Sequence, residues 1–228
     1  MPALNPIRMV MLGAPGAGKG TLSKRLLAKV SQLSSISTGD LLRTQIAKHT
    51  DIGKTASGYI KSGKLLPDTL MANMVTAELS KRNWLNEEAS FLLDGFPRTA
   101  GQAKQLSREL DPHKANINLV LELDVPPEVI LDRIANRWIH PGSGRVYNLR
   151  YNPPKVPLKD DITGEPLVKR ADDNPETFKV RLSQYFEELK QIKQFYSKEG
   201  VLRTVSGETS DIIFPKILKL VEEEFKKH

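Results

Sequence analysis

Gly13-Ala14-Pro15-Gly16-Ala17-Gly18-Lys19-Gly20-Thr21 stands between an apolar run, Ile7 to Leu12, and a segment of helical period from Lys19 to Val30. A strand that ends in glycines and a lysine that opens a helix are what a phosphate cradle requires. Glycines let backbone N–H groups turn inward, the helix start adds partial positive charge, and Lys19 reaches the phosphate to be moved. The strict form of this P-loop places Ser or Thr directly after the lysine. Here Gly20 intervenes and the hydroxyl belongs to Thr21.

Outward from this loop the chain alternates. Ile7 to Gly13, Phe91 to Gly95, Ile117 to Asp124 and Val201 to Gly207 are short, rich in Val, Ile and Leu, and end at Gly or Asp, as buried parallel strands do; Ser34 to Thr38 is a weaker fifth. Helical period covers Lys19 to Val30, Gly39 to His49, Pro67 to Lys81, Thr99 to Leu110, Pro126 to Asn136, Asn174 to Lys198 and Ser210 to Lys226. The pattern predicts an α/β fold: a P-loop NTPase-type, doubly wound, five-stranded parallel sheet with ligands at the carboxyl ends of its strands.

From His140 to Asn174 the rhythm breaks, because Pro141, Gly142, Gly144, Pro153, Pro154, Pro157, Gly164 and Pro166 forbid a long helix. A separate lobe of turns and short strands is expected there, hinged at Asn136-Arg137 and Asp172-Asp173 as a cover over the site. Val146, Tyr147, Leu149, Tyr151, Val156 and Ile162 are expected to supply its small packed core.

The 228 residues suffice for one buried core with appendages. No run approaches the length of a membrane span. The apolar run Ile7 to Leu12 is too short and too weakly flanked to be expected as a secretory signal, and an Arg- and Ser-rich amphipathic leader is not expected from Met1 to Pro6. A net charge of +7 favours a polyanionic partner, and the absence of cysteine excludes disulfides, thiolate nucleophiles and cysteine-held metals. The basic residues are dispersed among acids and aromatics make up only 6%, which argues against nucleic-acid recognition.

Phe91 to Asp94 reads as a second buried strand that ends in a carboxylate, the position from which P-loop enzymes orient Mg²⁺ through water. Mg²⁺ is accordingly expected near Asp94, with Asp40 close by. Arg98 follows Asp94 in Gly95-Phe96-Pro97-Arg98, Arg43 lies one turn into a helix after Ser37-Thr38-Gly39-Asp40, and Arg137, Arg170 and Arg181 flank or leave the inserted lobe. Arginine forks suit phosphate, and this many at strand ends and hinges suggests a clamp for two phosphorylated substrates. The four histidines fit no triad and no metal spacing. None is needed, since an attacking phosphate oxygen is already ionised and catalysis becomes positioning with charge neutralisation. A regulatory GTPase is disfavoured: no Asn-Lys pair occurs, and the one DxxG, Asp161 to Gly164, sits in the turn-rich lobe.

The blocks GAPGAGKGT, STGDLLR, DGFPRT with Gln102 after it, NRW, SGRVYN, NPPK and DDITGEPLVKRADD, and the helix bearing Arg181, closely resemble the adenylate kinase family of long-lid type, from Ile7 to the C-terminus. Within the family YNPPKVP, DDITGEPL and VSGETSDIIFP are most similar to fungal mitochondrial members that pair GTP with AMP. The resemblance implies a nucleoside monophosphate kinase, GTP favoured as donor and ATP the alternative. Donor contacts would be Gly16, Ala17, Gly18, Lys19, Gly20 and Thr21, with Arg133 against the base, Arg137, Val146 and Tyr147 from the lid side and Thr209 near the base. AMP would be held by Thr38, Arg43, Lys64, Leu65, Leu66, Gly95, Phe96, Pro97, Arg98 and Gln102, with Arg170 and Arg181 bridging both nucleotides. Lys19, Arg98, Arg137, Arg170 and Arg181 would be catalytic. The expected division is a core of residues 1–36, 67–135 and 174–228, a monophosphate lobe of 37–66 and a lid of 136–173. Where some family lids hold zinc, this chain has His140, Ser143, Asp160 and Thr163, so a hydrogen-bonded polar cluster is expected and not zinc. Leu22 stands where many relatives have Gln. A monomer in the mitochondrial matrix is expected, the cytoplasm being the alternative.

Overall fold

A computed structural model describes residues 4–62, 64–170 and 173–227. Its centre is β1 (Arg8–Gly13), flanked in a parallel sheet by β3 (Phe91–Asp94) and β4 (Leu119–Asp124), with β2 (Ser34–Ser37) and β7 (Leu202–Ser206) at the edges. The order β2-β3-β1-β4-β7 brings the carboxyl ends of β1 and β3 side by side, Met11 opposite Asp94. Side chains alternate across the sheet as strand geometry demands. Met9 and Met11 pack on one face against α1 (Lys19–Lys29), α6 (Pro127–Ala135) and α8 (Ser210–Phe225). Val10 and Leu12 pack on the other against α4 (Asp68–Lys81), α5 (Ala100–Leu110) and α7 (Pro175–Lys198). Two apolar layers sandwich the sheet. Among the described residues no helix is long and apolar enough to cross a membrane.

The expected helices form, with ends displaced by a residue or two, and one more appears between them. After α2 (Thr38–Ala47), residues Asp51–Ser62 form α3. Gly53 and Gly58 disguise it in the sequence, since glycine reads as a helix breaker. At Gly53 the reason is contact: a Cβ there would lie 2.1 Å from the Gln45 carbonyl oxygen, so α2 and α3 can cross only with glycine at this point. Thr50 caps the new helix by accepting the Gly53 N–H at 3.1 Å while donating to Gln45 Oε1 at 2.8 Å.

Between α6 and α7 the chain forms a lobe with β5 (Arg137–Ile139) paired antiparallel to β6 (Val146–Asn148) and bridges Ile139 to Val168 and Lys159 to Pro166. The expected hinge residue Asp172 lies outside the described residues. The expectation of an apolar core for this lobe is corrected. Of the six residues named for it only Tyr147 is buried, while Ile162 is 75% exposed and Tyr151 55%. Polar bonds hold the lobe together. Asp160, itself 2% exposed, accepts from Arg145 Nε at 2.7 Å and NH2 at 2.6 Å, from the Tyr147 hydroxyl at 2.9 Å and from Thr163 Oγ1 at 3.0 Å. His140 Nδ1 meets Ser143 Oγ at 2.8 Å and its Nε2 meets Glu165. The four residues at the family's zinc positions are thus tied into one hydrogen-bonded network, extended by Arg145, Tyr147 and Glu165.

Candidate functional site

The loop after β1 turns through left-handed conformations at Gly16 (φ 88°) and Gly18 (φ 96°), which only glycine adopts without strain. It is braced from below, since a Cβ on Gly16 would press against Ile134 and Ile130 of α6 at 3.0 and 3.1 Å. Gly18 starts α1, and the N–H groups of Thr21 and Leu22 fold back to its carbonyl at 3.0 Å each. Lys19 curls over the loop and donates to the carbonyls of Gly13 at 2.6 Å and Ala14 at 3.1 Å.

Four charged side chains act electrostatically on that ammonium. Burial is the main cause that pushes its pKa down from 10.5 to about 8; Asp94 pulls it back up, and Arg98, Arg181 and Arg137 add to the depression. Asp94 is the reciprocal case. Burial raises its carboxyl above the usual range, Lys19, Arg98 and Arg170 oppose the rise, and Asp40 adds to it. For Asp40, burial would raise the pKa, but the hydrogen bond and charge of Arg43, the Ser37 hydroxyl and the charge of Arg170 outweigh it, leaving the carboxyl below its ordinary value. The fold therefore gathers Lys19, Arg98, Arg137, Arg170 and Arg181 from five separate places in the sequence into one electrostatic field. Cations so packed repel one another, and an anion between them relieves that repulsion.

The turn after β3 is fixed by a frame of polar bonds. Thr38 Oγ1 donates to the Asp94 carbonyl at 3.2 Å, Arg98 Nε donates to the Gly95 carbonyl at 2.7 Å, and the Arg98 N–H donates to Gln102 Oε1 at 2.7 Å. Gln102 Nε2 and Thr99 Oγ1 both reach Asp68, at 3.0 and 2.9 Å. A cleft opens in front of this turn, lined by Lys19, Leu65, Arg98, Arg181, Gln184 and Tyr185. A second opening, reached past Leu65 and Gln184, includes Lys64.

The expected site residues fall into three groups. Lys19, Arg98, Arg181, Leu65, Gly95 and Pro97 line the cleft. Phe96 and Thr38 are fully buried, Leu66 and Gln102 nearly so, and their side chains support the cleft from behind in this structure. On the inserted lobe Val146 is half-exposed, whereas Tyr147 turns its hydroxyl inward to Asp160. Arg133 joins the loop after β1 to the loop after β7: NH1 donates to the carbonyls of Ala17 at 2.9 Å and Gly16 at 3.3 Å, NH2 to that of Glu208 at 2.6 Å. Thr209 caps α8, accepting the Ile212 N–H at 3.2 Å.

Two contributors escaped the sequence reading. Asp173 receives both arms of Arg137, with Nε to Oδ2 at 2.9 Å, in an ion pair whose side chains are 14% and 1% exposed. The Asp172-Asp173 pair was legible as a lobe boundary, yet nothing local tied it to an arginine 36 residues away. Tyr151 lies near enough to Arg133 to act on its charge, and Asn148 presents it by accepting the N–H groups of Arg150 and Tyr151 at 2.9 and 3.1 Å. An aromatic between an Asn turn and Asn152-Pro153 was the available signal.

Known proteins match this chain throughout. The family model described as "Adenylate kinase" covers residues 11–201. A Saccharomyces cerevisiae protein named "GTP:AMP phosphotransferase, mitochondrial" is 56% identical over 222 residues, which is 97% of this chain and 95% of the relative. A protein of the same name from Drosophila melanogaster is 44% identical over 208 residues, 91% of this chain and 92% of its own. An "Adenylate kinase" from Malassezia globosa is 42% identical over 210 residues, covering 92% and 81%.

Proposed function

The chain belongs to the adenylate kinase family, and on that premise we propose that it is a GTP:AMP phosphotransferase that moves the γ-phosphoryl group of GTP to AMP, giving two diphosphates reversibly. The observation that carries this reading is that Lys19, Arg98 and Arg181 line one cleft at the mouth of the sheet, where Asp94 and Arg137 also act on the Lys19 ammonium. A phosphate oxygen of AMP attacks the γ-phosphorus while the bond to the β,γ-bridging oxygen breaks. No proton has to be removed, so the residues act by holding and neutralising.

In this reading residues 37–66 form the monophosphate lobe and residues 136–173 the lid. Gly16 to Thr21 hold the donor phosphates and Lys19 follows the transferring group. Arg98 and Arg43 hold the AMP phosphate, and Arg137, Arg170 and Arg181 close over both nucleotides. Arg133 and Tyr151 flank the donor base. Asp94 suits the Mg²⁺ that travels with the triphosphate. Its under-solvated carboxylate favours a cation, and a Cβ built on Gly20 lies 3.9 Å from its Oδ2, beside the start of the phosphate helix. When bound there, such an ion would supply neutralisation of the phosphate charge.

The donor loop supports guanine. Adenine carries an amino donor at position 6 and guanine a carbonyl acceptor. Three of the loop's carbonyls are engaged: Ser206 O accepts from Lys216 Nζ at 2.8 Å, Glu208 O from Arg133 at 2.6 Å, and Thr209 O from the N–H groups of Ile212 and Ile213 at 3.2 and 3.0 Å. Capping leaves the Thr209 hydroxyl hydrogen to donate, Ser210 adds another, and exposed Glu208 can accept from a 2-amino group. The names of the yeast and fly relatives agree. Their names also support a mitochondrial setting, and a monomer suits two lobes that close independently. Initial rates with GTP, ITP and ATP at saturating AMP test the proposal. We expect kcat/KM for GTP and ITP to exceed that for ATP; equality, or preference for ATP, overturns the donor assignment.

A further inference from the structure

The lobe returns to the core along Leu167 to Arg170, and that segment binds to both sides of its own hinge. Val168 pairs with Ile139, N–H to carbonyl at 2.8 and 2.9 Å in the two directions, and so adds a third extended segment beside β5. Side chains of successive extended residues point to opposite sides. Arg170 lies in the field of Asp40 and Asp94, across the site. Lys169 goes the other way. Its Nζ donates to the Ala135 carbonyl at 2.5 Å and stands 4.9 Å from the centre of the Trp138 ring. Ala135 is the last residue of α6, so this carbonyl belongs to a helix end that lacks intrahelical donors and carries partial negative charge. One ammonium thus touches the core helix before the hinge and the first strand after it, while its own backbone belongs to the return. Asp173 and Arg137 lie close enough to act on its charge as well.

We propose that Lys169 is a positioning residue for phosphoryl transfer: pinned between the Ala135 carbonyl and the Trp138 ring, it fixes the return segment and thereby aims the neighbouring Arg170 at the phosphates. The inference rests on the phosphoryl-transfer reading above, and its partners are specific. Arginine could keep both contacts at this position; methionine would keep only the stem.

The test is steady-state kinetics and melting of Lys169→Met, Lys169→Arg, Trp138→Ala and the Lys169→Met/Trp138→Ala double variant, with Arg170→Ala as reference. Lys169→Met and Trp138→Ala should each lower kcat about fivefold, the size expected from losing an exposed cation–π contact with a charge-assisted hydrogen bond. KM for triphosphate and for AMP should stay within about twofold, and for Lys169→Met the melting temperature within about 2 °C, since Lys169 is exposed while Trp138 is partly buried. Lys169→Arg should restore most of kcat, and the double variant should be no worse than either single one. A kcat unchanged by Lys169→Met, a fall in melting temperature with kcat intact, failure of arginine to rescue, or additive losses would each overturn the proposal. Full activity in Arg170→Ala would instead overturn the role given to Arg170, and the latch with it.

Discussion

The loop around Lys19 and the lobe inserted between α6 and α7 are built from opposite materials. Around Lys19 the chain is shaped by glycine geometry and seated on apolar side chains: Ala14 and Ala17 are buried, and Ile130 and Ile134 press up beneath Gly16. The lid has almost no apolar interior. Asp160 with its donors, and His140 with Ser143 and Glu165, knit it from inside. A close-packed foundation holds one shape with or without ligand, as a cradle must. A polar network keeps a lobe rigid within itself while burying little apolar area against the core.

The comparison breaks most severely at Lys19. Lys19→Ala should lower kcat by at least about a hundredfold while the fold persists, because it removes the charge aimed at the transferring group. Near-normal turnover of the purified variant would show that the cradle is not the phosphate site. Arg98→Ala should chiefly damage AMP use, raising its KM and lowering kcat/KM by about 2 kcal/mol, the loss expected for a bidentate phosphate contact. An effect confined to the triphosphate KM would move Arg98 to the other substrate.

Proton linkage sharpens the contrast. Burial holds Lys19 down at about 8 against its usual 10.5. Below that pH the ammonium is charged, and burying it costs the empty fold stability. As pH rises from about 8 to the ordinary value of 10.5 that cost shrinks away, while the folded lysine turns neutral from about pH 8 and loses the charge expected to receive phosphate. We expect kcat/KM for the triphosphate to fall above about pH 8, towards a limit of about tenfold per unit. Bound phosphates return the proton, so kcat should hold to higher pH. A kcat/KM profile that stays flat to pH 10 would contradict this. Asp160 has the opposite sign: the hydrogen bond from Arg145 is the main cause holding its carboxyl far below the usual range, so the lid network gains from ionisation above the unfolded value and weakens only in strong acid. The smallest expected effect is on metal removal. A strong zinc chelator should leave the melting temperature of the lid and of the whole protein unchanged, and a large drop would mean that His140, Ser143, Asp160 and Thr163 hold a metal.

The amino-acid sequence by itself determined the strand-glycine-lysine-helix unit, the alternation that makes a parallel sheet and the interruption from His140 to Asn174. Each is a local property: apolar period, glycine spacing and proline content act over a few residues, and the sheet then forms with few alternatives. Asp94 at a strand end was legible for the same reason. Tertiary structure alone decided the rest. Helix α3 exists because α2 passes close enough to need Gly53, and a contact between helices is invisible in either one. The lid's interior is polar because Arg145 and Tyr147 converge on Asp160 from across turns, whereas a list of apolar residues suggested a core that never forms. The side chains of Thr38 and Gln102 bond the Asp94 carbonyl and Asp68, which arrive from other elements. The pairing of Arg137 with Asp173 and the seat of Lys169 beside Trp138 follow from where the chain re-enters the core. Short-range pattern specifies backbone conformation, but the partner of a charged side chain depends on which distant segment folding brings within about 3 Å of it.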